Sequence, residues 1–185
     1  MATTETEYEG LLKLYELAID EEHYYLDAHQ DGIAFYSGIS SALVTGIGIG
    51  LFQASEWYHF ALLCVGPVLI FAVSTIAIEG TFRTYQRFLE TITVRAKIEQ
   101  ELGLTITQPS GTNAPDSYWQ SEPIIPHRHI KSRRKYESSE AFINAHATMG
   151  YHFWATRLFR FFQWLSVLMF LGLLSLAVCK GLWHL

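Results

Sequence analysis

Three stretches of the chain, residues 33–52, 59–78 and 161–179, are apolar and contain no Asp, Glu, Lys or Arg. Each is about 20 residues long, and at about 1.5 Å of rise per residue a helix of that length reaches across the ~30 Å hydrocarbon core of a bilayer. A buried helix in a water-soluble domain rarely keeps such a run free of charge, and here it recurs three times. The pattern predicts an all-α integral membrane protein with three transmembrane helices and cytoplasmic helical extensions. Cys64 and Cys179 both fall inside these stretches. They lack metal-ligand spacing and any secreted disulfide pattern, and read as buried apolar thiols.

Orientation follows from the basic residues. Of 13 Lys and Arg, only Lys13 precedes the first stretch and only Lys180 follows the last; the rest lie between the second and third, with Arg83, Arg87, Arg95 and Lys97 close behind residue 78. Basic residues flanking a span stay on the cytoplasmic side. The expected topology therefore has the N-terminus inside, the loop around Trp57 outside and the C-terminus outside. No basic segment precedes an apolar stretch at the N-terminus, so no secretory signal peptide is expected. The expected location is the cytoplasmic (inner) membrane, multi-pass.

Residues 1–32 read as an acidic amphipathic helix, with Tyr8, Leu11, Leu12, Tyr15, Ala18 and Ile19 at spacings of three and four. Residues 1–31 carry nine acids and one lysine, a net charge of −8. Asp31-Gly32 is expected to break or kink the chain before the first span. Residues 33–78 form a transmembrane hairpin with a short outer loop, and 79–102 a cytoplasmic basic helix closed by Gly103 as a C-cap. Region 80–160 has 11 basic and seven acidic residues, a net of +4, so the two extensions attract. Exposed pairs contribute only about 0–1 kcal/mol each, which leaves most of the holding to the apolar stripes. Residues 103–138, with four prolines, form a cytoplasmic loop of unusual length, of the kind that is functional or disordered. From Ser139 a helical pattern resumes and runs toward the third span, giving a last segment of 139–185.

Several constellations bear on chemistry. In the first span a small residue stands at every fourth position: Ala34, Gly38, Ala42, Gly46 and Gly50, with Ala54 beyond. Such ridges let helices approach closely where lipid offers no hydrophobic drive, so Gly38, Ala42, Gly46 and Gly50 are helix-packing candidates, within the hairpin or between subunits. Ser37, Ser41 and Thr45 form a neighbouring hydroxyl row, which either lines a pore or bonds back to its own backbone. The spans lack the charges that proton relays and ion-coupled transporters use, which disfavours active transport. Gly66-Pro67 predicts a kink in the second span. Asp20, Glu22, His23, Asp27, His29 and Asp31 make a carboxylate–histidine cluster, but the one Glu-x-x-His pair, Glu56 and His59, lies across the membrane from it. The cluster reads as a solvated acidic face, with no metal expected. In the long loop, Trp119, Arg128, Arg133 and Arg134 combine an aromatic ring with guanidinium forks and are candidates for a nucleotide or phosphate ligand. The same basic run also fits anionic headgroups or the acidic N-terminal helix. No P-loop, dinucleotide turn or nucleophile motif is present, so no cofactor and no enzymatic activity are expected.

A leading cytoplasmic helix, a short-looped hairpin of spans and a charged helix with Glu79 and Arg83 together resemble the bacterial SLATT-type two-span effector modules. The resemblance covers residues 6–102. It implies an oligomeric membrane effector whose assembly opens a pore or breaches the membrane. The expected partners are membrane lipids, further copies of the chain, and a cytoplasmic protein or a nucleotide; no double-stranded nucleic acid is expected. A non-catalytic scaffold or adaptor recruiting a cytoplasmic partner is the alternative reading.

Overall fold

A computed structural model describes residues 5–106, 122–123, 138–147 and 150–182. The elements are α1 (Glu5–Gln53), α2 (Trp57–Leu63), α3 (Val65–Glu101), β1 (Thr105–Ile106), β2 (Glu122–Pro123), α4 (Ser139–Ala147) and α5 (Gly150–Leu182). The two short strands pair antiparallel, Thr105 with Pro123 and Ile106 with Glu122. Among the described residues three helical stretches are long and apolar enough to cross a membrane: Glu5–Gln53, Trp57–Glu101 and Glu140–Leu182. They contain the three charge-free segments of the sequence, which supports a membrane protein built almost wholly of helix.

Three boundaries differ in detail from the sequence reading. First, α1 runs unbroken through Asp31-Gly32. A mid-helix glycine costs only about 1 kcal/mol against alanine, and this one lets α3 come close: a Cβ built on Gly32 would sit 3.6 Å from Thr81 Cγ2. Second, the disturbance expected at Gly66-Pro67 takes the form of an interruption of the Trp57–Glu101 stretch at Cys64, which keeps helical dihedrals (φ −60°, ψ −20°). Pro67 lies in the first turn of α3, just after Cys64, whose N–H bonds back to Phe60 and Ala61. Proline is tolerated there because a first-turn residue needs no N–H donor. Third, α5 starts at Gly150, whose φ of 68° lies outside the helical region.

Other ends match their local chemistry. The connection between α1 and α2 is residues 54–56, and Glu56 with His59 forms a capping box there. Gly103, at φ of 71°, ends α3: Gly103 N–H bonds to Gln100 and Leu104 N–H to Glu99, the paired bonds of a left-handed glycine cap. Ser138 Oγ accepts from Ala141 N–H at 3.1 Å and caps α4.

The contacts divide the chain into two units. One comprises residues 1–28 and 83–150, the other 29–82 and 151–185. In the first, Ala18, Ile98 and Leu102 form an apolar core with Leu11, Tyr15 and Leu104 against it. In the second, Ile47, Phe60, Ile70, Ala77, Phe159 and Leu173 are among the core residues. The buried positions of α3 in this unit (67, 70, 74, 77 and 81) step by three and four, and those of α5 (152, 155, 159, 162, 166, 173 and 177) do the same except for one step of seven. A spacing near 3.5 residues is the period that keeps one stripe of a helix against a nearly parallel neighbour.

Candidate functional site

Within the second unit, α1 turns its seam of His29, Tyr36, Ser40, Leu43, Ile47 and Gly50 toward the other helices. The ridge of small residues is on a different face. Ala34, Gly38, Ala42 and Gly46 are exposed, and a Cβ built on Gly38 or Gly46 would meet nothing within 4 Å. Only Gly50 packs inside the hairpin, where a Cβ would lie 2.6 Å from Leu63 Cδ2. The hydroxyl row accompanies the outward ridge: Ser41 and Thr45 are exposed and Ser37 is half-buried. Ser37 donates to the Ala34 carbonyl at 3.1 Å and Thr45 to the Ser41 carbonyl at 2.9 Å, so both donors are satisfied while their oxygens can still accept.

The outward faces of the other two spans are chemically different. On α3 Val65, Val68, Phe71 and Ile76 are exposed, and on α5 Trp164, Leu168, Leu171 and Val178. Bulky apolar side chains suit lipid tails. A strip of glycine, alanine and hydroxyls gives lipid little to pack against, yet lets another helix approach closely.

The interior of the same unit is partly polar. Gly50 opposes Leu63, Ile47 opposes Gly66 and Gly32 opposes Thr81, a register that sets Ser40 level with Ser74. Both serine hydroxyls are fully buried and make no hydrogen bond among the described residues. Gln163 Nε2 donates to Thr75 Oγ1 at 3.0 Å and links α5 to α3 inside the spans.

Just outside the charge-free stretches, His29 and His152 face each other with ring centroids 5.7 Å apart. His29 Nδ1 donates to the Thr81 carbonyl at 2.9 Å, which fixes the tautomer because a carbonyl only accepts. His152 Nε2 and Thr156 Oγ1 are 3.1 Å apart. Burial pushes both imidazoles below their ordinary value, and His152, with His29 beside it as a second cause, falls to about 4. The carboxylate–histidine cluster expected from the sequence is therefore dispersed. His29 turns to Thr81, Glu22 is buried, and Asp20, His23, Asp27 and Asp31 lie on exposed faces. Among the described residues no group of three or more metal-binding side chains assembles. The His29–His152 pairing was not foreseen, since no local pattern connects residues so far apart in sequence.

In the first unit, the attraction between acidic and basic helices resolves into a buried network. Arg95 pairs with Glu22 of α1 and, through Nε at 3.3 Å, with Glu99 of α3. All three residues are at most 9 % exposed. Tyr15 donates to Glu99; burial first, and then the Glu99 charge, push its phenol above the ordinary value. The acidic helix thus finds its partner within the chain, through buried charge as well as the expected apolar stripe.

The tentative ligand residues Trp119, Arg128, Arg133 and Arg134 lie outside the described residues. No protein-family model, no curated protein and no solved structure matches the chain significantly. Function has to be read from the chain's own chemistry.

Proposed function

We propose that the chain is a homo-oligomeric multi-pass protein of the cytoplasmic membrane, with its N-terminus inside, that acts as a pore-forming or membrane-perturbing effector controlled from the cytoplasmic side. The observation that carries this reading is the outward strip of α1: exposed Gly38, Ala42 and Gly46 beside exposed Ser41 and Thr45 and half-buried Ser37, a strip of small and hydroxyl residues set between bulky exposed residues such as Phe35 and Ile49. Copies meeting along that strip approach closely through the glycines and bring rows of hydroxyl oxygens together. Such a ring presents water with hydrogen-bond acceptors over about 12 Å of the ~30 Å hydrocarbon core, with glycine and alanine lining the adjoining turns and no charged residue in the spans. Control falls to the helices and the long 103–138 loop on the inner face, where Trp119, Arg128, Arg133 and Arg134 supply a nucleotide or phosphate ligand site.

The test is release of a trapped small dye from liposomes containing purified protein, with and without nucleotides. Leakage above that of empty vesicles, reduced by Thr45→Val with Ser41→Ala, supports the reading. Vesicles that stay tight with every nucleotide overturn it.

A scaffold or adaptor role is the second reading, favoured by one observation. Leu14, Leu17 and Tyr24 are exposed on the N-terminal part of α1, at 53 %, 55 % and 67 %. Co-purification of a stoichiometric partner, lost on Leu14→Ser with Leu17→Ser, would support recruitment; a preparation free of other chains would count against it.

A further inference from the structure

Two adjoining grooves run between the outward faces of α3 and α5, of about 370 and 230 Å³. They share Phe71 and Val167. The first is lined by Arg160, Gln163 and Trp164; the second continues past Ser166 and Phe170 to Pro67 and Leu171. The depression has a sequence cause. Pro67 and Ser166 are small and fully buried, and they form a floor between the larger side chains. The Gln163–Thr75 hydrogen bond ties the two walls together.

The groove is chemically graded. At one end stands Arg160, exposed, with no acidic partner among the described residues. Its neighbour Arg157 is engaged differently, with its guanidinium 4.2 Å from the Phe153 ring centroid and 5.6 Å from that of Trp154. Beside Arg160 is Trp164, amphipathic and 71 % exposed, as a ring at a membrane interface would be. Beyond Gln163 the lining is almost wholly apolar. From Arg160 to Leu171 the helix rises about 16 Å, close to half of the ~30 Å hydrocarbon core, which is one leaflet's depth.

We infer that this groove binds one anionic phospholipid, its phosphate held by Arg160 and one acyl chain lying along Val167, Phe71 and Pro67. A guanidinium presents a planar fork of donors that suits phosphate, and here it stands where the charge-free stretch begins, at headgroup level. The apolar length beyond it suits a hydrocarbon chain of one leaflet. A single anionic lipid accounts for both the cation, which has no acidic partner among the described residues, and the matched length. The inference rests on the membrane-spanning reading above and adds a specific lipid site to it.

The experiment is native mass spectrometry of the full chain in detergent, offered equal amounts of phosphatidylglycerol and phosphatidylcholine with identical acyl chains. The expected result is an adduct favouring the anionic lipid about fivefold, the effect of one arginine facing a headgroup of net negative charge in place of a zwitterionic one whose choline offsets its phosphate. Arg160→Gln should lower the phosphatidylglycerol adduct to the phosphatidylcholine level. Arg157→Gln should leave the preference intact, and Val167→Trp, which fills the groove, should reduce both adducts. Circular dichroism checks that each variant keeps its helix. Equal adducts for the two lipids, or a preference unchanged by Arg160→Gln, overturn the site. So does a Val167→Cys variant that cross-links copy to copy in high yield, since a second chain would then occupy the groove. Alkaline carbonate extraction separates the two levels of failure. Release from the membrane overturns the spanning reading and the site with it, whereas retention with equal adducts overturns the site alone.

Discussion

Arg95→Ala is the perturbation whose size the structure defines best. The guanidinium lies between Glu22 of α1 and Glu99 of α3, and all three residues are at most 9 % exposed. Truncation leaves two carboxylates close together, without the cation between them, in surroundings that exclude water. Breaking a buried pair in this way costs about 3–5 kcal/mol. Arg87 and Glu90 supply an internal control, because their side chains are 66 % and 46 % exposed and 2.9 Å apart. An exposed pair contributes about 0–1 kcal/mol, so Arg87→Ala should change little. The assay is amide hydrogen exchange of residues 5–28 and 83–102 in the detergent-solubilised full chain. At about 1.4 kcal/mol per factor of ten, Arg95→Ala should speed exchange there by a factor of about 100 or more, and Arg87→Ala by less than about five. Replacing Glu22, Arg95 and Glu99 together by leucine or methionine should restore most of the protection, because an apolar substitute need not be desolvated at a cost. An Arg95→Ala effect below about tenfold, or one no larger than that of Arg87→Ala, would refute the idea that buried charge holds these helices together.

Gly66→Ala should destabilise the protein by about 1–3 kcal/mol, because its Cβ would come within 2.7 Å of buried Ile47, while Gly46→Ala, with nothing within 4 Å, should leave the unfolding temperature of the protomer in detergent unchanged or raise it. Ser40→Ala with Ser74→Ala removes two fully buried hydroxyls that make no hydrogen bond among the described residues, and should raise the unfolding temperature or leave it unchanged; a clear fall would show that the hydroxyls have a partner. His152 is held neutral, with its value lowered from 6.5 to about 4, so the folded state binds fewer protons than the unfolded one in that interval. Stability is therefore fully present above about pH 6.5 and is lost as pH falls toward 4, by at most about 1.4 kcal/mol per pH unit. A pH series of thermal unfolding should show that slope in the wild type and a shallower one in His152→Leu.

The long helices were legible because their signals are local and redundant. A charge-free run of about 20 residues can hardly be anything but a buried or spanning helix, and glycine with a left-handed φ closes α3 at Gly103, where the composition expects it. The attraction between residues 1–31 and the basic helix was legible as net charge. Its residues were not, since Glu22 and Glu99 look no different in sequence from the exposed Glu9 or Glu101. The small-residue ridge was also visible, but not its direction. Positions 34, 38, 42 and 46 repeat every four residues and so drift around the helix, whereas the buried positions of α1 follow a period near 3.5. Glycines carry no side chain to mark a face, and the seam of Tyr36, Ser40, Leu43 and Ile47 is mixed in polarity, so pattern alone did not separate inside from outside. The His29–His152 pair and the α3–α5 groove bring together residues nearly 90 or more positions apart, which only the packing of the third span could reveal.

Assembly through the outward strip of α1 is the central claim, and the mass of the solubilised complex, measured by light scattering with the detergent contribution subtracted, tests it most directly. The protomer is 21.1 kDa. The account predicts a defined multiple of that mass for the wild type and a collapse toward the single protomer for Gly46→Leu, whose Cβ would meet nothing within 4 Å in the protomer and whose side chain would block a neighbour's approach. A wild-type mass of one protomer, or a multiple that Gly46→Leu leaves unchanged, would contradict it.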